Sequence, residues 1–435
     1  MDPATRPSAN NAQPPDRPGP VAVPAAQPTA SRAAIVRPAI VYALLFGAQG
    51  AYLPYIPIYL ASTGLDLGTV GALIALFAAV SLVAAPSWGA LADGIGDVRW
   101  PVAIAGVLSG GAVLLLAVAV GPIALALATA LLAATFGGII PMIDSQTVRL
   151  VGHRDRFGLA RAPGSGAFVV VAFATGAVLA RAGPGGMFLV YGPLVVLTGL
   201  GAWALLRLPT PTASSRAARR ASSGGAARAL AGLSPATILG VLRTPRLGVF
   251  FVASVVVWTS HAALQGFISL RVKDLGGDAT TIAATWSLGA VIEVFLMSAF
   301  PALARRFGAE RLIVIGAFSF AIRALMSAVV DAPGAIVLAS AFGGVGFSFF
   351  YVGTVSWVAG AVSRSIQATA QGIFTGTTNS VGAIVGSVVG GAFGGVWGLP
   401  ALFGIAAVGY ATGAVLTWLA IARVGASPAA RPRAG

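Results

Sequence analysis

The sequence predicts an all-α integral membrane protein of twelve transmembrane helices, arranged as two pseudo-symmetric halves of six. Three observations carry that prediction. The chain of 435 residues is 57% hydrophobic and only 9% charged, whereas soluble domains carry about 25% charged residues. Its apolar runs repeatedly reach roughly 20 residues, the length a helix needs to cross a bilayer. The island Gly89-Ala-Leu-Ala-Asp-Gly-Ile-Gly-Asp-Val-Arg99 lies between two such runs and returns as Pro301-Ala-Leu-Ala-Arg-Arg-Phe-Gly-Ala-Glu-Arg311. The two islands are 212 residues apart (301 − 89), close to half the chain.

Taken in order, residues 1–36 mix Pro, Ala and Arg without an apolar period and read as a disordered tail. They lack the short apolar core and small-residue cleavage site of a signal peptide. An N-terminal half follows over 37–207, with spans near 38–61, 68–91, 100–120, 123–147, 163–181 and 187–207. Residues 208–244, rich in Ser, Gly and Arg, have the composition of a flexible linker. The C-terminal half, 245–423, places spans near 246–270, 281–304, 312–330, 334–359, 369–395 and 400–422, before a short tail over 424–435. Glycines 382, 386, 390 and 394 recur every four residues, a spacing that lets helices approach closely. The 57 Gly and 27 Pro are compatible with membrane helices, where neighbouring helices satisfy freed backbone groups.

Of the 27 Lys and Arg residues, all but Arg181, Arg271, Lys273 and Arg323 fall in the tails, the linker and alternate loops of one side. The positive-inside rule then puts both termini and the linker in the cytoplasm. The expectation is a multi-pass protein of a bacterial cytoplasmic (inner) membrane. The net charge of +15 follows this topology and predicts contact with anionic lipid headgroups, not with nucleic acid. With no cysteine and two histidines, the sequence offers neither disulfides nor a cysteine or histidine metal site. No cofactor is expected. No nucleophile cluster or phosphate loop points to an enzyme, and no attached domain points to a sensor.

The pattern Gly-x-Leu-Ala-Asp-x-x-Gly-x-x-Arg, made by Gly89, Asp93, Gly96 and Arg99, resembles the signature loop of the major facilitator superfamily. Leu53-Pro-Tyr-Ile-Pro-Ile-Tyr-Leu60 resembles the first span of its phenylpropionate-permease-like branch. Pro141-Met-Ile-Asp144 with Asp155-Arg-Phe-Gly-Leu-Ala-Arg-Ala-Pro-Gly-Ser-Gly-Ala-Phe168 is similar to the fourth and fifth spans there and in lactose-permease-like proteins. Ser260-His261, Glu293, Arg323 and Ala370-Gln-Gly372 also fit, so the likeness runs from Arg37 to Arg423. One departure stands out. The branch usually carries a histidine in span ten, and here Gly343, Gly344 and Gly346 precede Phe347 instead. The resemblance implies alternating access around a midplane cavity, with Asp93 bracing a gate. In the second copy Arg305 stands at the matching position.

Ionisable residues inside spans are costly, about 2.5–3.5 kcal/mol at mid-bilayer, and therefore mark candidate sites. Glu293, one of two glutamates, lies mid-span eight with Trp286 on the same helical face. It reads either as a proton carrier or as a protonated residue bonding a neighbouring helix. Arg323 is a switch, a clamp on a carboxylate, or a structural partner of Glu293. His261, with Trp258 and Gln265, makes a polar-aromatic stripe on span seven. By resemblance Asp144 and Arg161 grip substrate; their place near the span ends equally suits an interfacial ion pair. Tyr55 (between Tyr52 and Tyr59), Phe347 and Tyr351 (beside Phe350) are candidates for stacking on a ring. Gln371, Thr375 and Asn379 form a weaker polar line on span eleven.

The expected activity is proton-coupled symport of a small organic solute by a monomer. An aromatic carboxylate is favoured, with a sugar or nucleoside as the rival solute and proton-driven efflux as the rival direction.

Overall fold

The computed structural model describes residues 32–151, 154–207, 245–361, 374 and 376–422. The linker, most of the N-terminal tail, all of the C-terminal tail and the start of span eleven lie outside them, as do Gln371 and Thr375. Span one is α1 (Arg32–Tyr52) plus α2 (Ile56–Ser62), separated by a turn at Pro54. α1 therefore takes in 32–36, which were expected in the tail. Spans two and three are α3 (Leu67–Ile95) and α4 (Arg99–Val118), and span four is α5 (Pro122–Phe136) with α6 (Ile139–Val151). α7 (Arg154–Ala182) and α8 (Met187–Leu205) complete the first half.

The second half opens with α9 (Pro245–Asp274), α10 (Ala279–Phe307) and α11 (Ala309–Val329). Span ten is α12 (Pro333–Gly346), a π-helical turn (Phe347–Tyr351) and α13 (Val352–Ala361). A second π turn (Thr377–Gly382) leads into α14 (Ala383–Ala422). α14 is broken at Gly398, whose φ of 83° and ψ of 166° are not helical, just before Pro400. Among the described residues eleven helices are long and apolar enough to span a membrane. The break at Gly398 divides the last of them into two spans, giving twelve.

The duplication is written in the turn chemistry. Asp66 caps α3 by accepting from the Thr69 backbone N at 3.0 Å and its hydroxyl at 2.7 Å. Asp278 caps α10 by accepting from the Thr281 N at 2.8 Å and its hydroxyl at 2.7 Å. These hydrogen bonds hold both carboxylates below their ordinary range. Gly64 and Gly276 turn the chain with φ of 84° and 81°, and Gly96 and Gly308 with 75° and 86°. Each pair is separated by the same 212 residues as the charged islands (278 − 66, 276 − 64, 308 − 96). A left-handed φ strains any residue with a Cβ, so these positions fix where each hairpin of spans turns.

Outward faces are apolar because lipid is their solvent: Leu114, Val118 and Leu127 are about 70% exposed or more (70%, 73% and 68%). The halves meet at their arginine-poor ends. A Cβ at Gly71 of α3 would lie 2.8 Å from the Gly391 Cα of α14, so the two backbones touch there. A Cβ at Gly176 of α7 would lie 3.1 Å from the Ala279 carbonyl of α10. The Tyr55 hydroxyl sits between those two helices, 2.8 Å from the Ala172 carbonyl and 3.1 Å from that of Ala279. Its single proton is shared between halves. Tyr55→Phe removes a net contribution of about 1 kcal/mol, so the population open on this face should rise about fivefold. The chain has no cysteine, so an impermeant maleimide reacting with Ser387→Cys reads that opening directly. An unchanged labelling rate would show that the hydroxyl is not a latch.

Candidate functional site

A cavity of about 240 Å³ lies between the halves, near the midpoints of the helices that line it. From the first half α1 and its turn contribute Phe46, Gln49 and Leu53, and α7 contributes Ser165 and Phe168. From the second half come His261 and Gln265 on α9, Thr285, Trp286 and Glu293 on α10, and Arg323 on α11. Span ten closes the wall with Ser340, Gly343, Gly344 and Phe347. Phe168 and Trp286 face each other across the halves at 6.5 Å.

The predicted residues Glu293, Arg323, His261, Gln265 and Phe347 are thus brought together. Their partners differ from the simplest expectations. Arg323 is buried and donates from Nη2 to the Gln265 side-chain oxygen at 2.9 Å, not to Glu293. Among the described residues the Glu293 carboxyl has no hydrogen-bond or ion-pair partner; only its backbone carbonyl is engaged, accepting from Ser348 at 3.1 Å. His261 Nδ1 lies 3.1 Å from the hydroxyl of Tyr410, a fully buried residue that the sequence reading missed. His261 is also held edge-on by Trp258 at 5.0 Å and Phe320 at 5.1 Å.

Gly343 is why Arg323 fits. A Cβ there would lie 2.7 Å from Nη1, 2.9 Å from Cδ and 3.1 Å from Cζ. Of the glycines that stand in place of the expected span-ten histidine, Gly343 makes room for the guanidinium, whereas Gly344 lies against Ile292 and Gly346 against Phe320.

Other predicted residues stand elsewhere. Tyr55 is fully buried in the closed face and does not line the cavity, because both backbone carbonyls near it claim its hydroxyl. Trp258 and Tyr351 sit behind Phe347: Phe347 and Tyr351 stack at 5.1 Å, and Trp258 meets both edge-on at 5.8 and 5.9 Å. They shape the wall without forming it. Asp144 and Arg161 pair with each other at 3.0 Å. Tyr42 donates to Asp144 at 2.6 Å, and the Arg161 guanidinium lies 4.7 Å from the centre of the Phe46 ring. The pair therefore abuts the cavity through Phe46 and remains about a third exposed (Arg161 38%, Asp144 33%). In the loop, Arg99 pairs with Asp97 at 2.7 Å, Asp93 is exposed, and Gly89 and Gly96 are open to their surroundings.

Phe46, Gln49 and Leu53 were not foreseen, yet a signal existed. They are the counterparts of Trp258, His261 and Gln265 at the same 212-residue offset (258 − 46, 261 − 49, 265 − 53). All but Trp258, which stands behind Phe347, line the cavity, because duplicated helices present duplicated faces.

Twelve spans in two related halves around a cavity at mid-membrane define a secondary transporter of the major facilitator fold. Residues 35–403 match the MFS_1-like family, and the chain belongs to that family. The chain is 25% identical over 367 residues to a maltose permease of Geobacillus stearothermophilus, covering 83% of this chain and 88% of that one. Its fold is similar to that of the nucleoside transporter NupG, with a TM-score of 0.73 at 18% identity over 91% of this chain and 100% of that one. A peptide transporter, POT in complex with sulfate, superimposes with a TM-score of 0.67 at 16% identity over 90% and 94% of the two chains.

Proposed function

We propose that this transporter is a proton-coupled symporter of a small aromatic carboxylate, acting by alternating access in a bacterial cytoplasmic membrane with both termini inside. One observation carries the reading: the unpartnered Glu293 carboxyl and the buried Arg323 guanidinium share one cavity with the rings of Phe46, Phe168, Trp286 and Phe347. Arg323 stays charged at any working pH and supplies the counter-charge for the acid. The rings take the aromatic face of the solute, and Glu293 carries the proton. The protein works as a monomer, with anionic lipids along its arginine-rich face.

A second reading rests on two specific observations. The maltose permease is a sugar transporter by name, and Gln49, Ser165, Thr285 and Ser340 supply neutral hydrogen-bonding groups. This cavity taken alone weighs against a disaccharide: about 240 Å³ lies below the roughly 300–1,000 Å³ of ordinary ligand clefts. A single ring fits that volume better.

The test is proton movement in proteoliposomes with a pH dye inside and acids, sugars and nucleosides added outside in turn. Internal acidification with an aromatic acid, and not with maltose or uridine, is the expected result. Acidification with a sugar alone moves the assignment to the second reading. Expulsion of hydrophobic dyes by a pH gradient, with no solute-driven acidification, replaces symport by antiport.

A further inference from the structure

Beside the cavity lies a second chamber of about 200 Å³ that the proposed chemistry does not use. The two share Leu53, Gln265 and Trp286, so they are adjacent compartments with those side chains as their common wall. Their walls differ in kind. The first holds Glu293, Arg323, His261 and Gln49. The second is lined mainly by hydrocarbon and rings, among them Ile56, Leu60, Leu73, Ile74 and Phe77. It lies on the arginine-poor side, under the contact of Gly71 with Gly391 that closes the halves.

Adjacency of a charged compartment to an apolar one selects for a molecule with the same division. A compact acid would fill only the first compartment. A neutral polar solute large enough to reach both would leave its hydroxyls unpaired against Leu73 and Phe77, and each group left so weakens binding. An amphiphile meets neither penalty.

We propose that the second chamber receives the apolar end of the transported acid, so that the protein selects acids whose ring or chain extends several carbons from the carboxylate. This rests on the carboxylate reading above and adds a length rule to it. Trp286 forms the threshold. Its indole N–H donates to the Ser269 hydroxyl at 3.0 Å, which fixes the ring where both compartments touch it. Gly266 lines only the second compartment. A Cβ there would lie 3.6 Å from Ile74 Cδ1, an ordinary contact, so a side chain at this position fills the chamber without displacing backbone.

The experiment titrates the full chain in nanodiscs with ω-phenylalkanoates from phenylacetate to phenylpentanoate, reading affinity by calorimetry. Each added methylene should tighten binding about fourfold while the chamber fills, with affinity falling beyond the length that fits. In Gly266→Val the gain per methylene should vanish. In Phe77→Leu the best length should move to a longer acid. An equal length dependence in wild type and Gly266→Val, or affinities that do not change with length, would overturn the chamber. The matching phenylalkanols separate the two readings. Alcohols that bind as tightly as the acids, with the same loss of length dependence in Gly266→Val, keep the chamber and remove the carboxylate reading. Acids that bind in preference to alcohols but with no length dependence keep the carboxylate and remove the chamber.

Discussion

Glu293→Gln should abolish proton-driven accumulation of the solute while leaving solute–solute exchange across the membrane intact. The argument begins with position. Glu293 is at the centre of α10 and lines the cavity, and among the described residues its carboxyl has no partner. A glutamate retained only for packing would be expected to bond a neighbouring helix, because an unsatisfied polar group in the membrane interior is costly. This carboxyl instead faces the cavity, and on the proposed reading proton and solute reach it there in the same state. Glutamine copies the shape of the protonated acid and cannot release a proton. Exchange needs only that the loaded carrier reorient in both directions, so it persists; net uptake needs the proton to leave, so it stops. The backbone of α10 is held at this level by the Ser348 hydroxyl on the Glu293 carbonyl, which the substitution leaves in place. Counterflow of labelled solute and accumulation under a pH gradient, measured on the same vesicles, give the two readouts. Accumulation at the wild-type level in Glu293→Gln would remove this residue from coupling.

The fold was legible because its constraints are local and repeated. Asp66 with Thr69 and Asp278 with Thr281 cap helices by short-range hydrogen bonds, and the glycines at 64, 96, 276 and 308 turn the chain wherever they stand. The site was most legible where burial of charge singles out a residue, as at Glu293 and Arg323, and the helical spacing of His261 and Gln265 added part of its wall. Aromatic residues carry no such mark. The stripe Tyr52, Tyr55, Tyr59 gives a helical spacing, but not which neighbour the face meets. Tyr55 went to two backbone carbonyls of the closed face, and Tyr59 to the Leu116 carbonyl at 2.9 Å. Tyr410 is 149 residues from His261 and meets it only through the packing of α14 on α9. Gly343 was visible as the loss of a histidine, while its use as space for a guanidinium required the position of α11. Gln49 is different, since transferring the span-seven stripe across the 212-residue repeat would have found it.

Arg323→Lys and Gly343→Ala should give the same defect, a rise of about 10- to 100-fold in KM for an aromatic acid. That range corresponds to losing one hydrogen bond to a charged group, roughly 1.5–3 kcal/mol. The lysine keeps the charge but loses the planar fork that lets one face hold Gln265 while another meets a carboxylate. The alanine leaves Arg323 chemically intact and moves it, because its methyl would occupy a position 2.7 Å from Nη1. Gly334→Ala, in the same helix with no atom within 4 Å of the added Cβ, is the control for helix propensity and should change nothing in KM. The pair also separates the rival solutes. An acid held by the guanidinium loses affinity in both variants, whereas a sugar held by neutral amides and hydroxyls depends far less on where that charge sits. Gly343→Ala with a wild-type KM for the acid would mean that displacing the guanidinium costs the solute nothing. The carboxylate would then need its counter-charge from Arg161, which lies against the opposite wall through Phe46 and would first have to leave Asp144.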